Sequence, residues 1–327
     1  MASKLGDLLK SFPELDLIEK ITRKLNKLGV DFERFVLTEI EHRNEKYPIH
    51  GFVMGSKDPE APTFGLFGGV HGLEKIGTHI ILNYMRSLAY RGTVNSFFRE
   101  TLKSIRFVSI PMLNPVGVKF NKRGNGNGVD LMRDSPTVAT GKTIPLGSGH
   151  RISPKLWWYQ GSEGSMEKES KTLVDFVSEH MFASKFSMAL DVHSGFGARD
   201  RLWYPYSKAR DVFPLEGEAI NLKRAMKLTN PFHMYKVEPQ GDSYLIHGDL
   251  WDHLFDLQYE NQNHAGTFIP WTLEMGSWSW VKKNPFQIFS TNGLFHPVKP
   301  HRIKRTMRRH WWLLDFYVNF VANNGKI

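Results

Sequence analysis

Short runs of β-forming residues alternate along this chain with longer amphipathic segments, and no other feature constrains the fold as much. Apolar residues that recur at three- and four-residue steps predict helices at positions 14–28, 72–90, 167–180 and 310–321. Apolar and aromatic runs bounded by turn signals predict strands at positions 32–38, 47–54, 63–70, 105–110, 186–192 and 268–274. This alternation favours an α/β fold, with a mixed, mostly parallel twisted sheet of about eight strands and helices on both faces.

The chain is interpreted as a single domain over 1–327, because it contains neither a fixed-period repeat nor a low-complexity linker. Residues 1–30 form a predicted N-terminal helical extension, whose helix is expected to end at Gly29. Two stretches, 121–165 and 198–265, are rich in loop-forming residues and are predicted to be long connections.

Cysteine is absent, which excludes disulfides, zinc–thiolate sites, iron–sulfur sites and a cysteine nucleophile. Any metal must therefore bind to histidine and carboxylate ligands. Lys and Arg number 43 against 33 Asp and Glu, so the net charge of +10 favours anionic partners such as acidic peptides. The basic stretch 299–310 is interpreted as a solvated approach to the last helix, which makes nucleic acid an unfavoured partner. Contact with nucleic acid, an anionic polymer or a membrane surface is the alternative.

The N-terminal residues lack the apolar stretch and small-residue cleavage site of a signal peptide. No apolar run reaches the roughly 18–20 residues needed to cross a membrane. These features favour a cytoplasmic location, with export after removal of a leader as the alternative.

Two motifs at predicted strand ends offer metal ligands. His71 and Glu74 stand at H-x-x-E spacing where a strand passes into a helix, so both side chains can point into the crevice at the carboxyl edge of the sheet. His193 follows the strand 186–192. Two histidines and a glutamate with one open position are typical of catalytic zinc. Taken alone, His71 and Glu74 could be an ordinary His–Glu pair on the surface. Taken alone, His193 could be an ordinary histidine at the end of a buried strand.

Three further charged residues suit hydrolysis of a carboxylate-bearing substrate. Arg123 and Arg133 flank a Gly- and Asn-rich loop, which can bring two guanidinium groups to a carboxylate or a developing oxyanion. Glu274 ends an apolar strand in a Trp-rich setting, where burial would raise the pKa of its carboxylate and favour proton transfer. The simpler alternatives are that Arg123 and Arg133 lie on an ordinary solvated loop and that Glu274 is an ordinary solvated glutamate at a strand end.

Taken in order, these motifs resemble the M14 family of zinc metallocarboxypeptidases, including funnel-type carboxypeptidases and murein peptide amidases. The shared pattern is H-x-x-E, then Asn-Pro-x-Gly with an arginine seven residues before a G-x-D-x-N-R-like motif, then a strand-end histidine and a strand-end glutamate. The resemblance runs from about Tyr47 to Trp278 and includes a helix start similar to the family's S-E-x-E pattern.

The resemblance implies one zinc ion (Zn²⁺) per chain, held by His71, Glu74 and His193. It implies that Asp130 is the carboxylate that orients His71. Glu274 would then be the general base that takes a proton from the attacking water and passes it to the leaving nitrogen.

The resemblance also implies the substrate contacts. Arg123 would stabilise the oxyanion, and Arg133 would bind the substrate's terminal carboxylate. Tyr244, eight residues before Asp252, matches the tyrosine that caps the bound substrate. Trp251 falls at the position with which the family selects side chains, and it is expected to narrow that pocket.

Two departures from the family pattern affect the substrate. Met132 stands where the family has asparagine, and the sequence from His71 to Glu74 lacks the arginine of H-x-R-E, so two carboxylate contacts are lost. The predicted function is therefore zinc-dependent hydrolysis of a peptide or amide bond next to a free carboxylate, by a metallocarboxypeptidase or peptide amidase. The expected substrate is a peptide or muropeptide, with acidic substrates favoured. The alternatives are a zinc N-acyl-amino-acid deacylase and a catalytically inactive peptide- or glycan-binding module.

Overall fold

The structure is a computed structural model that describes residues 8–28, 31–261, 266–290 and 292–326. The predicted helix end at Gly29 lies outside the described residues. The other predicted helices and strands can be compared directly with the structure.

The described strands form an eight-stranded sheet in the order β1-β2-β4-β3-β5-β8-β6-β7. The strands are β1 (Phe32–His42), β2 (Glu45–Gly55), β3 (Thr63–Gly68), β4 (Arg106–Ile110), β5 (Phe186–Ser194), β6 (Arg201–Tyr204), β7 (Lys236–Pro239) and β8 (Thr267–Met275). The pairs β3–β4, β3–β5, β5–β8 and β6–β7 are parallel. The pairs β1–β2, β2–β4 and β6–β8 are antiparallel. The prediction of a mixed, mostly parallel sheet of about eight strands is confirmed.

The α-helices whose bounds lie within the described residues are α1 (Pro13–Lys27), α2 (Lys75–Val94), α3 (Ser96–Ser104), α4 (Pro115–Phe120), α5 (Lys168–Met181), α6 (Glu216–Thr229), α7 (Leu250–Glu260), α8 (Trp278–Lys283) and α9 (Pro300–Ala322). Short 3₁₀ helices cover Leu131–Arg133, Gln240–Asp242 and Pro285–Phe289. The interpretation of 198–265 as one long connection is wrong, because that stretch contains β6, α6, β7 and α7.

Helices cover both faces of the sheet, as predicted. Successive residues of a strand point to opposite faces, and β3 shows which helices lie on each. Phe64 stacks on Tyr317 of α9 at a centroid distance of 5.5 Å. Phe67 faces the other way and packs against Trp251 of α7 at 5.1 Å.

Helix α1 packs onto α2 and contributes to the core. Its residues Leu15, Ile18, Ile21 and Leu25 are buried, as the three- and four-residue spacing predicts. Glu14 lies 3.4 Å from the ammonium of Lys75 and 3.5 Å from the ring of His79, both on α2. The N-terminal segment is thus joined to the catalytic fold by both apolar and ionic contacts.

The two edges of the sheet are irregular. The pairing of β1 with β2 shifts register between Val36 and Thr38. At the opposite edge, β7 is only four residues long and ends at Pro239. None of the helices in the described part of the chain is both long and apolar enough to cross a membrane.

Candidate metal centre and active site

Parallel strands bring the predicted metal ligands and base to one edge of the sheet. β3, β5 and β8 run parallel and are neighbours, so their carboxyl ends lie side by side. His71 follows β3, while His193 and Glu274 are directly paired near the ends of β5 and β8. Glu74 is the residue before α2, at the start of the helix that returns across the sheet.

His71, Glu74 and His193 converge as predicted. One ligand atom of each lies within 4.8 Å of the ligand atoms of the other two, and all three side chains are buried. Nδ1 of His193 is 3.2 Å from Oε2 of Glu74. Gly72 is required between the ligands, because a Cβ at this position would lie 1.9 Å from the backbone carbon of Gly117.

A second set of side chains orients His193. Oδ2 of Asp191 lies 2.7 Å from Nε2 of His193, which leaves Nδ1 facing Glu74. The same Asp191 oxygen accepts a hydrogen bond of 2.8 Å from the indole nitrogen of Trp251. Sequence interpretation assigned no role to Asp191. Asp191 and His193 are two residues apart on β5, however, and residues with this spacing on a strand face the same side.

Asp130 lies behind His71, as the resemblance implied. Its Oδ1 is 3.6 Å from Nδ1 of His71, and its Oδ2 accepts a hydrogen bond of 2.9 Å from Nε of Arg123. Burial opposes ionisation, but Arg123, His71 and Arg133 hold the pKa of the Asp130 carboxyl well below its usual range. Asp130 therefore stays an anion that can fix the ring of His71.

The donor set fits zinc. Two imidazoles and one carboxylate are a common ligand set for catalytic zinc, with ligand atoms about 2 Å from the ion. The three side chains are held close together without a thiolate, and each histidine has a carboxylate behind it. Such carboxylate–histidine pairs are typical of the surroundings of bound zinc.

Glu274 lies beside the ligand set and is buried. Its Oε1 accepts a hydrogen bond of 2.9 Å from the backbone nitrogen of Phe196. Burial, and then the negative charge of Glu74, raise the pKa of Glu274 to about 8. A bound cation would lower this pKa again, leaving a carboxylate that can accept a proton near neutral pH.

Arg123, Arg133 and Tyr244 line the same cavity as the ligand set. A guanidinium nitrogen of Arg123 is 3.0 Å from Nε2 of His71, and another is 3.6 Å from Oε1 of Glu74. Arg133 donates to the carbonyl oxygen of Gly147 at 3.3 Å, while its buried Nε has no partner among the described residues. Burial raises the pKa of Tyr244, although the neighbouring Arg133 opposes the shift.

The structure corrects the prediction for Trp251. This residue is not among the described residues that line the cavity, so it does not narrow a side-chain pocket. Its ring packs against Phe67, and its indole nitrogen donates to Asp191 beneath the metal site. The family spacing assigned a role to Trp251, but it could not show that this indole turns toward the sheet.

The cavity has a volume of about 430 Å³ and a largely aromatic lining. Its aromatic residues, apart from the two histidines, are Trp157, Trp158, Phe196, Trp203, Tyr244, Trp278 and Phe295. Sequence interpretation singled out only Tyr244 among these, because the others come from irregular segments, from the four-residue strand β6 or from the start of the short helix α8, which carry little periodic signal. An apolar cavity with a few convergent polar groups is typical of a binding site for a small ligand.

Comparison with known proteins gives a consistent result. The sequence pattern of a family described as zinc carboxypeptidase matches residues 24–279. Carboxypeptidase A4 of Mus musculus is 24% identical over 224 residues, which cover 64% of this chain and 52% of that protein. Carboxypeptidase E of Caenorhabditis elegans is 26% identical over 153 residues, which cover 42% of this chain and 29% of that protein. The chain thus spans about half the length, or less, of these two curated relatives.

Solved structures show the same fold. The crystal structure of thrombin activatable fibrinolysis inhibitor has a TM-score of 0.70 at 19% identity, covering 95% of this chain and 74% of that one. Carboxypeptidase A from Helicoverpa armigera has a TM-score of 0.62 at 18% identity, covering 93% of this chain and 71% of that one. These similarities extend beyond the matched range 24–279 to nearly the whole chain.

Proposed function

Since the chain belongs to the zinc carboxypeptidase family, we propose that it is a zinc-dependent hydrolase of the peptide or amide bond next to a free carboxylate. The observation that carries this proposal is the convergence of His71, Glu74 and His193 with Glu274 in one cavity. A catalytically inactive binding module is disfavoured, because folding does not require all four of these side chains in one place.

Each charged residue of the cavity has a definite task in such a reaction. A zinc ion held by His71, Glu74 and His193 supplies Lewis acidity when bound. Glu274 accepts a proton from the attacking water and later delivers it to the leaving nitrogen. Arg123, already beside the ligand set, donates to the oxygen that becomes negative in the transition state.

The substrate's free carboxylate is assigned to Arg133 with Tyr244. A guanidinium group binds a carboxylate through two parallel hydrogen bonds. The nearly buried Arg133 has donor capacity left, because its Nε has no partner among the described residues. Met132 beside it cannot donate a side-chain hydrogen bond, so Arg133 carries most of the recognition.

The pocket next to Glu274 favours an uncharged side chain. Trp203 and Thr272 are paired across β6 and β8, and both line the cavity with Ile246. Apart from the metal ligands and Glu274, the charged residues among the described lining are Arg123, which has the oxyanion to stabilise, and Arg133. A second negative charge on the substrate has no further cation to meet, so we favour apolar side chains over the acidic ones that net charge alone suggests.

A C-terminal carboxypeptidase is the form of this function that we favour. A peptide amidase acting on muropeptides and an N-acyl-amino-acid deacylase would use the same catalytic groups. A cytoplasmic location remains part of the proposal, with export as the alternative.

The experiment is hydrolysis of matched dipeptides that end in a free carboxylate or in a carboxamide, with Arg133 varied. The wild-type protein with zinc bound is expected to cleave the dipeptide with a free carboxylate at least about 100-fold faster than the dipeptide carboxamide. A neutral carboxamide cannot form the bidentate ion pair with Arg133. Arg133→Ala should remove this preference, and Arg133→Lys should restore part of it. Lys155→Ala serves as the control, because it removes an exposed positive charge two residues before Trp157 that does not line the cavity. Equal cleavage of acid and amide by the wild type would contradict the proposed recognition.

A further inference from the structure

We propose that Trp157, Trp158 and Phe295 form a preorganised subsite for a large apolar group on the acyl side of the scissile bond. These three residues are called the tryptophan wall below. The inference rests on the proposed function and deepens it, because it names a substrate class that the metal centre alone does not specify.

The inner end of the tryptophan wall lies against the two residues that follow the metal ligand His193. Phe295 is held there by its carbonyl oxygen, which accepts a hydrogen bond of 2.6 Å from the hydroxyl of Ser194, the residue after His193. Its ring lies against Gly195, where a Cβ would be 2.7 Å from the ring and 3.8 Å from Oε1 of Glu74. Gly195 has φ +144° and no side chain, which leaves room for the aromatic ring beside the segment that follows His193.

The tryptophan wall then continues outward without a gap. The ring centroids of Phe295 and Trp157 are 5.6 Å apart in an edge-to-face arrangement. Those of Trp157 and Trp158 are 6.0 Å apart, again edge to face. Trp157 keeps 47% of its surface exposed while it lines the cavity. An apolar group that covered these rings would remove a large aromatic surface from water.

His150 fixes the two tryptophans in place. Its Nε2 lies 2.8 Å from the carbonyl oxygen of Trp157. Its backbone nitrogen donates to the carbonyl oxygen of Trp158 at 3.1 Å, and its own carbonyl accepts from Gln160 at 2.8 Å. Trp158 adopts φ +68°, a left-handed conformation that bulky residues rarely take. The local fold therefore holds both rings in position before a ligand binds, which lowers the entropy lost on binding.

The amino-acid end of the substrate is assigned to Arg133 and Tyr244. Tyr244 packs against Phe196 at 5.4 Å and lies next to Arg133. Phe196 in turn donates its backbone N–H to Glu274. With the substrate carboxylate on Arg133 and the scissile carbonyl at the metal ligands, we assign the acyl part to the side of Phe295, which lies against Ser194 and Gly195.

Two kinds of group have the required chemistry. One is a fatty or aromatic acyl chain on an amino acid, and the other is an aromatic residue before the last residue of a peptide. Both present a large apolar surface within a few bonds of the scissile carbonyl. The experiment separates them through its substrates.

The test compares kcat/KM for N-acetyl-, N-decanoyl- and N-(2-naphthoyl)-phenylalanine, and for N-acetyl-Gly-Phe and N-acetyl-Trp-Phe. Wild-type protein is expected to prefer the large acyl groups over acetyl by about 10-fold or more, as a filled apolar pocket does. Trp157→Ala should reduce this ratio toward one, and Trp157→Phe should keep most of it. Phe289→Ala serves as the control, because Phe289 is 85% exposed but does not line the cavity.

A second measurement does not depend on turnover. Calorimetry with zinc-free protein and N-(2-naphthoyl)-D-phenylalanine should show binding that Trp157→Ala weakens by about 10-fold and Phe289→Ala leaves unchanged. A Trp157-dependent affinity in a protein that cleaves none of the five substrates would support the subsite and contradict the proposed function. Equal kcat/KM for all acyl groups, unchanged in Trp157→Ala, would overturn the subsite and leave the function standing.

Discussion

His193 is held through both of its ring nitrogens, and this residue shows how the fold prepares a metal ligand. Glu74 lies 3.2 Å from Nδ1, and Asp191 lies 2.7 Å from Nε2. A carboxylate behind a histidine ligand fixes the tautomer and the direction of the free lone pair. Trp251 in turn fixes Asp191, so the tryptophan expected to select side chains acts instead on the metal site.

We therefore predict that Asp191→Asn lowers the affinity for zinc by about 10- to 100-fold, the usual effect of losing such a partner. Trp251→Phe, which removes the indole N–H, should lower the affinity by a smaller factor. The measurement is zinc binding by competition with a chromophoric chelator. Trp271→Phe is the matched control, because its buried indole nitrogen has no hydrogen-bond partner among the described residues. Unchanged zinc affinity in Asp191→Asn would show that this carboxylate does not support the ligand.

A second prediction concerns Glu274. Glu274→Gln should keep one zinc ion per chain and lower kcat by about 10²- to 10⁴-fold, because an amide cannot take up the proton. Elemental analysis and single-turnover kinetics on the same preparation would measure both quantities. A near-normal rate with zinc bound would exclude Glu274 as the base.

Among the secondary-structure elements, the ionic contacts that join α1 to α2 make the free energy of unfolding depend on pH. Burial opposes ionisation of Glu14, but hydrogen bonding to His79 and the charge of Lys75 hold its pKa at about 2, below the usual 4.5. A lowered pKa in the folded state stabilises the protein above the unfolded pKa, and this contribution is lost as the pH falls from 4.5 toward 2. Its full size is about 3 kcal/mol at neutral pH.

Glu14→Gln should accordingly lower the free energy of unfolding by about 1–3 kcal/mol at pH 7. The difference from wild type should narrow steadily below pH 4.5. Denaturant titrations at several pH values would measure it. Glu100→Gln removes an exposed ion pair with Lys103 and should change stability by less than about 0.5 kcal/mol. A constant difference down to pH 3 would contradict the role of Glu14's charge.

The elements that sequence reasoning found and missed differ in physical character. β5 and β8 are buried along almost their whole length, so their continuous apolar runs mark them as strands. β6 and β7 have only four residues each, too few for a periodic signal. Helix α7 begins with an N-cap at Asp249 that a capping rule could have found, but Gly241, Asp242 and Gly248 before it resemble a loop.

For the whole molecule, sheet topology explains why the metal centre could be predicted and the substrate subsites could not. His71, His193 and Glu274 stand at the ends of neighbouring parallel strands, and their relative positions follow from strand order and register. Trp157 and Phe295 come from separate irregular segments that meet only after folding. No local sequence rule relates such positions, so the aromatic lining of the cavity could be identified only from the structure.

The irregular edges of the sheet affect how copies of this protein behave toward each other. An open edge strand exposes backbone donors and acceptors to which another chain can add. Here the register shift between Val36 and Thr38 distorts β1, while Glu33, Arg34, Glu39 and Glu41 place charges along it. The opposite edge offers only a short strand that ends in proline. Both edges thus oppose edge-to-edge pairing with the sheet of another copy of this chain.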